Sequence, residues 1–251
     1  MKKIILGASI AGLIAAAANA QNASITWGAP NAISGTSDVS IAGTLVGTWA
    51  PGDDWTGSGG NIADNFPVNG VTFNAYGSGP FNSFINQSGF SDRYGSFANP
   101  GTLDSNYNYL LQTAEYNNWN GSSSVLSLTW GGMTAGNTYQ LEFWVQDGRN
   151  GGTVDRSETL TGGANTSDAL TYGFAGGGAG HFILGTFVAD GTGTETLTVN
   201  GAGGGPNNPS AQVNLLQLRD ITPVPEPATV ALAGMGACAM FYGFRRKNRA
   251  I

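Results

Sequence analysis

Four glutamates stand in segments that are otherwise apolar or weakly polar: Glu115, Glu142, Glu158 and Glu195. Two carboxylates facing each other across a cleft are enough for glycoside hydrolysis, one as acid and the other as base or nucleophile. The sequence spacing pairs none of these four, and Glu142 falls on the polar face of an expected strand. The single histidine, His181, follows a glycine run and enters an apolar stretch. It reads as a strand-edge residue rather than a base, although a Ser-His-Asp mechanism could use no other. The glycine run lacks the helix and lysine of a phosphate loop. No catalytic residue is assigned, and the chain is read as a non-enzyme.

Aromatic residues beside amides offer a second chemistry. Sugar recognition needs an aromatic plane for the C–H face of a pyranose and planar hydrogen-bonding groups around its hydroxyls. Tyr116-Asn117-Asn118-Trp119-Asn120 has both, Trp55 sits beside Asp53 and Asp54, and Trp144 lies on the polar side of its strand. The carbohydrate-binding candidates are therefore Trp119, Trp144, Asn117, Asn118 and Trp55. The competing reading packs each Trp beneath a loop or against a second sheet. Asp147-Gly148-Arg149 and Asp155-Arg156 could clamp a carboxylate or diol, and an Asp–Arg bridge within the domain is the reading preferred here. No cofactor is expected. Asp53, Asp54, Asp64 and Asp190 with Glu195 offer oxygens for a structural Ca²⁺, without the spacing of an EF-hand.

Composition limits the partners. Of 251 residues 40 are Gly, and only 10% are charged. Residues 21–222 contain four arginines against fifteen carboxylates, a formal charge of −11. Nucleic acid is excluded as a partner, because phosphate binding needs clustered Lys and Arg. One His and one Cys cannot build a zinc site of four such ligands.

The elements that must position these residues are strands. Thr44 to Trp49, Val68 to Phe73, Ser124 to Trp130, Tyr139 to Gln146, Phe182 to Ala189, Glu195 to Val199 and Ala211 to Arg219 are short and rich in β-formers. In the fourth, Tyr139, Leu141, Phe143 and Val145 alternate with Gln140, Glu142, Trp144 and Gln146, so the first set is expected inside and the second outside. One short helix is expected where Tyr107, Leu110, Leu111 and Ala114 follow Asp104 or Ser105 as a cap. Many strands without a βαβ rhythm predict an all-β, antiparallel two-sheet sandwich over 21–222. Met133 to Arg149 resembles the strand-turn-strand of galactose-binding-like jelly rolls, which implies a jelly-roll-like sandwich and transfers no ligand residue.

The two ends read as addresses. Lys2-Lys3, an apolar run and Ala18-Asn19-Ala20 make residues 1–20 a signal peptide, with the mature chain starting at Gln21. At the other end come 223–227 with Pro225-Glu226-Pro227, a 228–244 segment without charge, and a basic tail, 245–251, with Arg245, Arg246 and Lys247. Seventeen residues at about 1.5 Å each just span a bilayer core, so 228–244 is expected as a transmembrane helix. The basic tail would stay cytoplasmic, with 21–222 on the far side.

This arrangement resembles the PEP-CTERM sorting signal. The resemblance implies export across the inner membrane of a Gram-negative bacterium, signal peptidase and exosortase as processing partners, and a transient membrane anchor. It also implies a final place at the cell surface or in an exopolysaccharide matrix or biofilm. Three readings of the domain compete: a module binding neutral polysaccharide, a structural coat protein without a small ligand, and, behind both, a glycoside-active enzyme.

Overall fold

The computed structural model describes residues 22–50, 66–74, 79–82, 92–95, 104–117, 124–148, 155–173, 180–203 and 210–224. The expectations placed on 1–21, on 225–251 and on Asp53, Asp54, Trp55, Asp64, Asn118 and Trp119 lie outside them. Among the described residues no helix is long and apolar enough to cross a membrane.

Two antiparallel sheets form the body. The larger runs β1 (Thr26–Trp27), β13 (His181–Val188), β9 (Thr138–Val145), β16 (Leu215–Asp220) and β3 (Thr44–Trp49), and β2 (Asn31–Ala32) also pairs with β13. The smaller runs β11 (Asn165–Thr166), β10 (Arg156–Gly162), β14 (Glu195–Gly203) and β8 (Ser124–Trp130), and β12 (Leu170–Tyr172) also pairs with β10. Period-2 alternation sends one set of side chains from each sheet into a shared interior. Leu126, Leu128 and Trp130 of β8, Leu160 of β10 and Leu197 and Val199 of β14 meet Leu141 and Phe143 of β9 with Ile183 of β13 in one core cluster. Among the described residues the result is sandwich-like and mostly β, with the expected short helix, α1 (Ser105–Leu111).

One edge of the sandwich is closed by β1. Thr26 and Trp27 pair with Thr186 and Gly185 on the larger sheet, while the Ile25 amide donates to the Gly162 carbonyl on the smaller, 3.2 Å away. Gly185 is required here, because a Cβ would lie 2.5 Å from Ile25 Cγ2 and 2.6 Å from Trp27 Cζ3.

The outer face of the larger sheet departs from expectation. It is covered by a third layer built from α1 (Ser105–Leu111) and the hairpin of β4 (Phe66–Val68) and β5 (Val71–Phe73), giving a second core with Tyr107, Leu110, Phe73, Trp144 and Leu215. Asp104 caps α1 by accepting from the amides of Asn106 (2.9 Å) and Tyr107 (3.3 Å). The single strand expected over Val68 to Phe73 is this hairpin, turned at Asn69 (φ 49°) and Gly70 (φ 75°). A further sheet joins β6 (Asp92–Gly95), β7 (Thr113–Tyr116) and β15 (Gln212–Val213).

The face carrying Gln140, Glu142, Trp144 and Gln146 is therefore not a solvent face. Polar groups there hold the segment over residues 40–43. The Ser40 amide donates to Glu142 Oε2 at 3.0 Å, the Ser40 hydroxyl donates to Gln140 Oε1 at 2.8 Å, and Gln217 Nε2 donates to the Ser40 carbonyl at 2.7 Å. Arg219 donates from Nη2 to the carbonyls of Ile41 (3.2 Å) and Gly43 (3.0 Å).

Candidate functional site

Trp144 cannot serve as a sugar platform. It is wholly buried, edge-on to Phe73 (centroids 5.6 Å apart, 86°) and stacked with Phe182 (6.4 Å, 29°), so its ring faces are occupied by protein. A large apolar ring on an outwardly polar strand became a core residue once the third layer covered it. Asn117 is half-buried and structural as well, its Nδ2 donating to the Val125 carbonyl at 2.9 Å.

Trp27, half-buried over Gly185 at the closed edge, is one of several half-buried aromatics among the described residues. Beside it Thr26, Gly28 and the segment Ala164–Asp168 line a shallow groove of about 320 Å³.

 A neighbouring groove of about 420 Å³ is lined by Ala23, Thr138, Thr186, Val188 and Asp190, and Thr26 borders both. Several polar groups in the smaller groove are fixed by the fold. Asn165 Nδ2 donates to the Ile25 carbonyl at 3.1 Å, and the Ser167 hydroxyl accepts from the Leu160 amide at 2.9 Å and donates to the Asp168 carbonyl at 2.8 Å. Asn165, Thr166 and Asp168 are exposed, so an indole edge, hydroxyls, an amide and a carboxylate share one wall. These groups can hydrogen-bond and pack against a sugar. Sequence reasoning missed Trp27 because a two-residue strand is too short to show a period.

The four glutamates sit on four different strands, and none is exposed. Burial lifts Glu142 from 4.5 to about 8, against the opposing hydrogen bond from the Ser40 amide. Burial also pushes Glu158 well up, although the Gln212 amide donates to its Oε2 at 2.9 Å. Glu195 points inward opposite Trp130 at the start of β14, and burial raises it to about 7. Burial favours the protonated form of each of these three carboxyls near neutral pH.

Asp147 and Arg156 form a buried ion pair, Oδ2 to Nη1 2.7 Å, in agreement with the intradomain bridge expected of these loops. Close by, the Tyr172 hydroxyl donates to the Ser210 carbonyl, and Asn214 Oδ1 accepts from the Gln146 amide at 2.8 Å and from Gln212 Nε2 at 3.0 Å. His181 opens β13, its Nδ1 against the Thr171 carbonyl. Asp190 closes its own turn by accepting from the amide (2.8 Å) and hydroxyl (2.5 Å) of Thr192. Among the described residues no three His, Cys, Asp or Glu side chains are placed to share a metal ion.

The carboxyl end of the domain is tied down as far as Thr222. The Ile221 amide donates to the Thr138 carbonyl at 2.9 Å, the Thr222 amide to Asp220 Oδ1 at 2.9 Å, and the Thr138 amide to the Thr222 hydroxyl at 2.8 Å. Two residues later Val224 is 87% exposed.

Residues 223–247 match the PEP-CTERM protein-sorting motif. The chain thus carries the signal of exported proteins that an exosortase processes, including Pro225, Glu226 and Pro227. No curated protein matches the chain. Among solved structures, the enzymatically active domain of tailspike protein 4 from bacteriophage CBA120 is similar at 17% identity and a TM-score of 0.30, over 62% of this chain and 21% of that one. The chain spans about a fifth of that protein's length, and the similarity is too slight to transfer a fold or an activity.

Proposed function

We propose that this is an exported, exosortase-processed protein of a Gram-negative cell surface or extracellular matrix, whose β-domain binds a neutral polysaccharide without acting on it. The reading rests on where the sorting motif begins. Thr222 is the last described residue hydrogen-bonded to the fold, and the motif starts at the next position. A protease working at Pro225-Glu226-Pro227 acts beyond the last hydrogen-bonded tie to the fold and need not open the domain.

The ligand class is supported by the groove beside Trp27, where an aromatic ring lies among hydroxyl, amide and carboxylate groups. The charge of −11 over residues 21–222 repels uronate-like polymers and leaves neutral ones acceptable. Intact mass of the protein from its native host tests processing: loss of the segment from about Ala228 is expected, and a C-terminus at Ile251 would overturn it. Retention of the protein on neutral glycans, with and without EDTA, tests binding. Retention that survives EDTA and weakens in Trp27→Ala and Asp168→Ala supports the module; no retention on any glycan leaves a structural coat.

A further inference from the structure

The outward side of the smaller sheet has an unusual composition. In register across four strands lie Ser127, Thr198, Thr161 and Thr166. The next rows bring Thr129 beside Thr196, and Asn200 between Val125 and Thr159. Every outward position of β8, β10 and β14 is partly or fully exposed, and none carries a charge. Only 10% of the chain is charged, and the outward positions of these strands hold none of that charge.

We propose that this Ser/Thr face is the main docking surface for a neutral polysaccharide, with the groove beside Trp27 as its rim. The proposal rests on the polysaccharide reading above and assigns it to a surface. Thr166 belongs to both parts: its hydroxyl lies 3.0 Å from that of Thr161, and it lines the groove. Each threonine offers a hydroxyl that both donates and accepts, as a sugar hydroxyl does, and a methyl for a sugar C–H face. Cross-strand pairs such as Thr129 and Thr196, 2.9 Å apart, use one of their two protons on each other. One proton and several lone pairs remain for a ligand. The β-branch stiffens each side chain, which lowers the entropy lost on binding.

Geometry narrows the kind of polymer. Neighbouring hydroxyl rows stand about 4.8 Å apart across strands and about 6.7 Å apart along them. A twist of about 20–25° per strand turns β8 against β10 by roughly 40–50°. A rigid crystalline lattice would lose register across that turn, whereas a hydrated chain can follow it.

The test uses the full-length chain in detergent and particles of curdlan, an uncharged β-glucan, with alginate gel as the charged control. Thr198→Val keeps the β-branched shape and removes a hydroxyl, and Thr161→Glu adds a charge; unchanged melting temperatures verify their folds. Retention on curdlan but not alginate, reduced about tenfold by Thr161→Glu and less by Thr198→Val, is the expected result. Retention unchanged in both variants but lost in Trp27→Ala would overturn the face and leave the polysaccharide reading standing. No retention by the wild type overturns both. Dimerisation that Thr161→Glu abolishes, without curdlan retention, would assign the face to a second copy instead.

Discussion

The Asp147 carboxylate and the Arg156 guanidinium meet at 2.7 Å with both side chains shut away from solvent. Asp147 follows β9 in the larger sheet and Arg156 begins β10 in the smaller, so the pair pins one end of the sandwich. Taking one partner from a buried pair leaves the other charge desolvated. Asp147→Ala should cost about 3–5 kcal/mol, and the double change Asp147→Leu with Arg156→Met clearly less. Urea denaturation of the three proteins decides it, and a double variant no better than the single would contradict the account.

Both faces of β9 are load points. Phe143→Ala, between the sheets, and Trp144→Ala, beneath the third layer, should each cost about 3–5 kcal/mol. Gln140→Ala removes the acceptor of the Ser40 hydroxyl and should cost about 1 kcal/mol. Equal, small effects for Trp144→Ala and Gln140→Ala in chemical denaturation would mean that the third layer does not cover this face.

Stability should fall as the pH rises through neutrality. Glu142 keeps its proton in the folded state up to about 8, whereas it loses it near 4.5 when unfolded. Its contribution is complete below the unfolded value and disappears as pH approaches 8. Glu195, raised to about 7, adds the same trend over a narrower window. Asp190 and Asp220, held low by hydrogen bonds from Thr192 and Thr222, lose their contributions only in stronger acid. The melting temperature should therefore drop between roughly pH 5 and 8, with Glu142→Gln flattening the upper part of the slope. A melting temperature that climbs over this range would show the reverse sign.

Asp104 holds the first turn of α1. Asp104→Ala should cost about 1 kcal/mol, and Asp104→Asn much less, because an amide oxygen can still accept from Asn106 and Tyr107. Thermal unfolding of both variants measures the difference.

Much of the fold was legible from alternation. The strands around Leu141, Leu128 and Leu197 lie where their apolar period placed them, and Asp104 caps the expected helix. Alternation separates two faces but does not say that one is wet. The side with Gln140, Glu142 and Trp144 is buried because the chain over residues 40–43 brings its own amides and carbonyls to meet those polar groups. The strand β10 is not legible in the sequence because Arg156 and Glu158 occupy interior positions, which an apolar period cannot register. At Asn69-Gly70 the surrounding valines and phenylalanine masked a turn dipeptide. Of the aromatic candidates, Trp144 is drawn into a core, while Trp27 carries no signal in the sequence, since exposure depends on which layer covers a strand.

The exit of the chain from β16 has a mechanical meaning. That strand lies between β9 and β3, not at an edge, and its end leads straight to Val224 and the sorting motif. Tension applied at the carboxyl end runs along the strand, at right angles to the antiparallel hydrogen bonds on both sides. The two ladders are then loaded in shear and must yield together, whereas an edge strand peeled from its tip gives way one bond at a time. Force arriving through the sorting end would therefore meet the fold at one of its most resistant strands.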